Sequence, residues 1–497
     1  MDITKGYKQS SLLILLLCCL ASVVIYGLTA GSPLCLAPLL LFIAHFCLKV
    51  VIKRDNPDQD ILLGFLVFSF LIDDISQVAW GRNVDTITEA LGVILFKSFG
   101  LSGMETFALL MTGWLILSKA PRLLREWTEL GFFPILIVAF AVFIASFIAG
   151  FMGVMSGGSV NTMFIQLRFL HCLPLWVFIG FMIWRDREFT RKALKGITVA
   201  IVLKSFQALF VYGTNYTQFS QYEEYLVDHY FSAFAVITLV CLVYYFFVQK
   251  TYLGRATILA SMGAVALAFI LNDRRTSYVA AAFAVGILPA LMPLRLVKKY
   301  FPHGTALGLA FGLFTAITWN MPEPIGFIGG LYRSFGSETG VEEPSYRDLE
   351  NANLLNAVTQ SPLSGIGYGK EFDEVFPMPD ISYVYERYRM IPHNLFLASW
   401  GFGGPATIGA LSLLFATMIA CAGSLFKKAR EPHLFLLGVV SLFFFLQYLV
   451  YTFGDLGFQI QRNQMLGGLL LGACFRIQGE LTKEEKMKAK ARVQPWP

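Results

Sequence analysis

Apolar runs of about 17 to 25 residues, each long enough for a helix to cross a bilayer, recur along most of this chain and are separated by short charged clusters. A water-soluble core cannot enclose so many unbroken apolar segments at once, so a multi-domain soluble enzyme is excluded. Hydrophobic residues make up 56% and charged residues 14% of the 497, which makes lipid the expected solvent. About fourteen runs lie between residues 11 and 475. They predict an all-α polytopic membrane protein.

Charge orients the runs. Lys49 with Lys53 and Arg54, Lys119 with Arg122 and Arg125, Arg185 with Arg187, Arg191 and Lys192, Lys250 with Arg255, Arg295 with Lys298 and Lys299, and Lys427 with Lys428 and Arg430 fall on every second loop. The positive-inside bias makes those loops and both termini cytoplasmic. It also accounts for the net charge of +6, and without a basic stripe on a soluble module no nucleic acid is expected. The cysteines sit in or beside apolar runs without paired spacing and read as small buried hydrophobes. The basic start MDITKGYKQS, followed by two apolar runs, reads as a retained anchor rather than a cleaved signal. Residues 86–102 would upset the alternation as a span and are expected to lie at the outer interface or to continue the next helix.

One stretch breaks the pattern. Residues 321–392 form an outer loop of about seventy residues, far longer than an ordinary helix connection and therefore a functional candidate. It divides the chain into membrane helices at 1–320, the loop, further helices at 393–476 and a basic cytoplasmic tail at 477–497. The loop holds about eleven acidic and five basic side chains, seven prolines and ten aromatics, a mixture that suits a folded cap. Within it, SYRDLENANLLNAVT predicts a helix with Leu349, Leu355 and Val358 on one face. SPLSGIGYGKEF supplies a glycine-rich turn, and with no preceding strand and no βαβ unit it is not a dinucleotide site.

Ionisable groups near the outer ends of spans are the candidates for chemistry. Arg168 precedes the sixth span, Asp73 and Asp74 end the third, Asn272, Asp273, Arg274 and Arg275 form an outer turn, and His393 with Asn394 opens the twelfth span. Arginines grip phosphate oxygens through bidentate hydrogen bonds and neutralise a pyrophosphate without a metal. A histidine adds a proton acceptor near neutral pH. Together they suit substitution at a sugar carbon with a lipid pyrophosphate leaving.

The order of RRTS at a span opening, SPLSGIGYG in the long outer loop and PHNLFL at the next span resembles the bacterial O-antigen ligase and O-antigen polymerase superfamily. The resemblance covers residues 270–405 by motif and the flanking helices by arrangement. It implies a C-type, metal-independent inner-membrane glycosyltransferase with no cofactor, moving a glycan from an undecaprenyl-pyrophosphate donor to a hydroxyl on the periplasmic side. It implies that Arg275, with Thr276 and Ser277 and with Arg274 beside it, binds the pyrophosphate, and that Arg168 is a further, less securely matched arginine. His393 then assists the acceptor and Asn394 binds it, while Tyr368 and Tyr385 help to hold glycan. The glycines at 401, 403 and 404 depart from the family's spaced pair, and the doubled arginine leaves open which guanidinium faces the phosphates.

The polymerase, which extends another lipid-linked glycan, is the leading expectation; a ligase acting on lipid A core is the alternative, and a lipid-linked glycan transporter the reading from another class. Donor, acceptor, membrane lipids and a chain-length regulator are the partners so implied. Rival readings stand beside these. The arginines could snorkel to headgroups, His393 could cap the helix it opens, Asp73 and Asp74 could bind a divalent cation, and His171 could be a hydrogen-bonded core residue.

Overall fold

The computed structural model describes residues 37–52, 55–71, 103–130, 133–214, 226–227, 229–272, 274–291, 313, 316–317, 346–380, 388–454 and 460–493. Its described elements are helical. In chain order they are α1 (Ala37–Phe46, continued by a π-turn at Cys47–Val51), α2 (Pro57–Leu71), α3 (Gly103–Leu130), α4 (Phe133–Met155), α5 (Val160–His171), α6 (Leu173–Ile183) and α7 (Arg187–Thr214). There follow α8 (His229–Val248), α9 (Tyr252–Leu271), α10 (Arg275–Leu291), α11 (Tyr346–Gln360), α12 (Leu395–Lys428), α13 (Pro432–Gly454) and α14 (Gln461–Val493).

Six of these are long and apolar enough to cross a membrane: Pro134–Met155, Arg187–Thr214, Phe231–Val248, Tyr252–Leu271, Leu395–Lys428 and Pro432–Gly454. Leu173–Ile183 and Thr276–Ile287 are shorter apolar helices. The apolar run at 11–30, Asp73, Asp74 and residues 86–102 lie outside the described residues, as does the run at 304–320 except for positions 313, 316 and 317. α14 runs as one helix through position 477 and on to Val493, into the segment read as a basic tail. Lys483 of that extension pairs with Glu129 of α3 at 2.7 Å.

Small residues let helices approach where lipid offers no hydrophobic push between them. α6 lies against α14, and a Cβ on Gly180 would reach 2.8 Å from the Leu469 Cα, while one on Gly468 would reach 2.5 Å from the Trp176 Cβ. α13 sits among α8, α10, α12 and α14 and buries most of its length, including Phe444, Phe445, Gln447 and Tyr448.

The break in α12 positions everything that follows. Asn394 caps its start by accepting from Leu397 N at 3.0 Å. Ten residues on, Gly404 takes φ 69° and Pro405 follows it, so the helix is interrupted inside the span. Pro405 has no N–H for the Gly401 carbonyl. The loop supplies donors instead: Ile366 N bonds Gly401 O at 2.8 Å and Gly367 N bonds Phe402 O at 3.0 Å.

Candidate functional site

The glycine-rich segment is a backbone wedge. One edge lies on the α12 break. The other meets the α4–α5 turn, where Ser159 N donates to Gly369 O at 2.7 Å. Gln166 of α5 completes the clamp: its Oε1 accepts from Gly369 N at 2.6 Å, and its Nε2 donates to Lys370 O at 2.7 Å and Met390 O at 3.1 Å. Gly153 must be glycine, since a Cβ there would overlap the Tyr368 carbonyl. Gly367, at φ 88°, packs its α-carbon against Gly153.

Tyr368 rides on this wedge but faces inward. Its ring is buried and stacks on Phe402 with centroids 5.4 Å apart. Burial pushes its hydroxyl up to about 12, with Ser399 and Ser146 acting in the opposite sense. It therefore stays neutral and packs the loop onto α4 and α12, its ring closed from solvent. Tyr385 lies outside the described residues.

α11 keeps Val358 on its buried face and Leu349 against the core, as expected, but the rest of that face differs. Leu355 is exposed, and the buried residues are Glu350, Asn353, Leu354, Ala357 and Val358. Two polar residues occupy that face because each has partners there. Asn353 holds residue 376 by two backbone bonds of 2.8 Å, donating to Phe376 O and accepting from Phe376 N. Glu350, only 1% exposed, accepts from the His393 backbone N–H at 3.0 Å. Both of its oxygens also lie 3.2 Å from His393 Nδ1.

That pair was missed from the sequence, where Glu350 is one of eleven acidic loop residues. It gives His393 a fixed orientation. A carboxylate at this place accepts from Nδ1–H, which makes Nε2 the basic nitrogen of the ring. The Tyr346 ring stands edge-on to the imidazole at 6.1 Å. The imidazole is 16% exposed, open enough to meet a ligand. The helix cap is supplied by Asn394 rather than by His393, its side-chain oxygen accepting from Leu397 N.

The arginine turn reaches the same end of the bundle through α13. Ser277 of α10 hydrogen-bonds Tyr451 of α13, and a Cβ on Gly454 would stand 3.6 Å from Thr276 Cγ2. Two residues into α12, Phe396 stacks on Phe453 of α13 at 4.3 Å. The α13 terminus thus joins the start of α10 to the start of α12. Arg274 is half-buried immediately before α10, and Arg275 is the first residue of that helix, its side chain outside the described set. Neighbouring Asn272 is buried and bonded to Val227 N at 2.6 Å and Ser232 Oγ at 2.9 Å. It braces the turn.

Arg168 and His171 lie in α5, two and five residues beyond Gln166, with their side chains outside the described set. The structure therefore brings the Arg274 turn and His393 to one end of the bundle, and adds Glu350 and Gln166 as the residues that hold the histidine and the loop. Compared with protein-family models and with curated proteins, the chain matches none.

Proposed function

We propose that this protein is a membrane glycosyltransferase that moves a glycan from undecaprenyl pyrophosphate to a sugar hydroxyl on the periplasmic side of the inner membrane, polymerising lipid-linked repeat units. The observation that carries this reading is the His393–Glu350 pair at the end of the bundle that also holds the Arg274 turn. About fourteen spans, an outer loop and cytoplasmic termini belong to the proposal.

In the proposed step, the acceptor oxygen attacks the donor's anomeric carbon and the bond from that carbon to the pyrophosphate oxygen breaks. The hydroxyl proton passes to Nε2 of His393, with Glu350 stabilising the imidazolium that forms. Arg275 and Arg274 neutralise charge that grows on the departing pyrophosphate. Because the donor arrives activated, no nucleotide is needed at this face.

Purified protein in detergent, given a lipid-pyrophosphate oligosaccharide alone, is expected to yield a ladder of longer lipid-linked chains. Product formed only after addition of lipid A core would make it a ligase. Absence of product with lipid translocation in liposomes would replace the enzyme by a transporter. Arg275→Ala is expected to lower transfer by about 10²–10³-fold, the usual worth of a group that stabilises charge in a transition state, while folded protein persists. Loss confined to Arg274→Ala would move the role by one residue, and normal rates in both would remove the pyrophosphate assignment.

A chelator is expected to leave turnover unchanged, since guanidinium groups serve where a cation otherwise would. Inhibition reversed by magnesium or manganese would instead direct attention to Asp73 and Asp74.

A further inference from the structure

Among the completely buried polar side chains of the apolar helices are two long ones that take no part in the site as described: Lys204 of α7 and Gln447 of α13. α7 and α13 run in the same direction. Near their starts, Arg187 and Leu434 line one cavity, and further along Ile197 and Val440 line a second. Seven residues beyond Ile197 is Lys204, and seven beyond Val440 is Gln447. A heptad keeps the same helix face and rises ~10 Å, so both side chains occupy one layer. Antiparallel α14 adds Asn463, also buried, seven residues before Leu470 of the second cavity.

Gln447 is the unusual member. Neither its amide oxygen nor its amide nitrogen has a hydrogen-bond partner, although burying a polar group without one is costly. One turn further along α13, on the same face, Tyr451 bonds Ser277, three residues after Arg274. Gln447 therefore lies ~6 Å deeper in the bundle than that pair. An ammonium and an amide N–H are both donors to phosphate oxygens, and a cationic side chain inside a span is a functional candidate in its own right.

We propose that Lys204 and Gln447 form the deep wall of the donor site and take phosphate oxygens of a polyisoprenyl pyrophosphate that Arg274 and Arg275 hold from the loop end. This rests on the donor assigned above. It assigns the unpartnered amide a ligand, at the expense of stability in the unliganded protein.

Binding of inorganic pyrophosphate and of farnesyl pyrophosphate to the full-length protein in detergent tests it, read by calorimetry beside the melting temperature without ligand. Gln447→Leu, close in volume, is expected to melt no lower than the parent and to bind both ligands about tenfold more weakly. Gln447→Met serves the same purpose if the leucine variant does not accumulate. Lys204→Met is expected to lose at least as much affinity, and Lys204→Arg to retain part of it. A lower melting temperature for both Gln447 variants would mean the amide holds the fold, and the proposal falls. Parental affinity in Gln447→Leu with loss in Arg274→Ala overturns the deep wall and leaves the donor reading intact. Weakening for farnesyl pyrophosphate alone places the residue on the lipid tail and also overturns it. If the parent binds neither ligand, the donor reading falls as well.

Discussion

Replacing His393 by alanine is expected to lower glycan transfer by about 10²–10⁴-fold, the usual contribution of a positioned general base, with donor binding retained. The imidazole meets α11 at the Glu350 carboxylate and at the edge of the Tyr346 ring, and that carboxylate also holds the backbone N–H of the same residue. The charge-bearing partner is thus tied to the ring and to the chain entering α12. Glu350→Gln keeps the shape and one acceptor while removing the charge. It is expected to lower turnover by about 10–100-fold, as loss of a histidine's carboxylate partner commonly does, with little change in the Michaelis constant. Steady-state rates for the two variants separate catalysis from bracing. If His393→Ala turns over normally, the pair is a clasp between α11 and α12 and another base must be sought.

Gly153→Ala carries the second large effect. The added methyl would overlap the backbone carbonyl of Tyr368, which cannot rotate aside as a side chain can. The segment at 361–370 would have to lift from the α4–α5 turn, weakening the Ser159 N to Gly369 O bond and the Gln166 clamp. Overpacking of this kind costs about 1–3 kcal/mol or more. The expected result is a lower melting temperature, protease cleavage within 361–370 and transfer near background. Gly409→Ala is the control, since nothing lies within 4 Å of the Cβ it would add and its helix is regular there. Unchanged activity in Gly153→Ala would show that the wedge does not position the site.

The same segment shows how much could be read in advance. Its glycines marked a turn; that the turn repairs a helix break could not be seen. The break depends on Pro405 removing a donor, and the repair comes from residues about 35 positions earlier in the chain. Packing and sugar contact stood level for Tyr368 because exposed and buried tyrosines look alike in a sequence; its partner Phe402 lies across the wedge. In α11, apolar spacing placed Val358 and Leu349 correctly, whereas Leu355 faces out and Glu350 and Asn353 turned inward. Hydrogen bonds to His393 and Phe376 outweighed the apolar pattern there. Lys204 and Gln447 were hidden by the apolar runs around them.

The sequence by itself determined that the chain is helical and apolar enough to belong in lipid, where its charged ends fall, and which turn carries the paired arginines. Those properties are local: the transfer energy of a span is summed over about twenty consecutive residues, and charges at its ends act within a turn or two. Tertiary structure alone decided that Glu350 orients His393, that α13 joins the arginine turn to the start of α12, and that Tyr368 faces inward. Each of these pairs groups distant along the chain, and a directional hydrogen bond or ring contact exists only after the helices have packed.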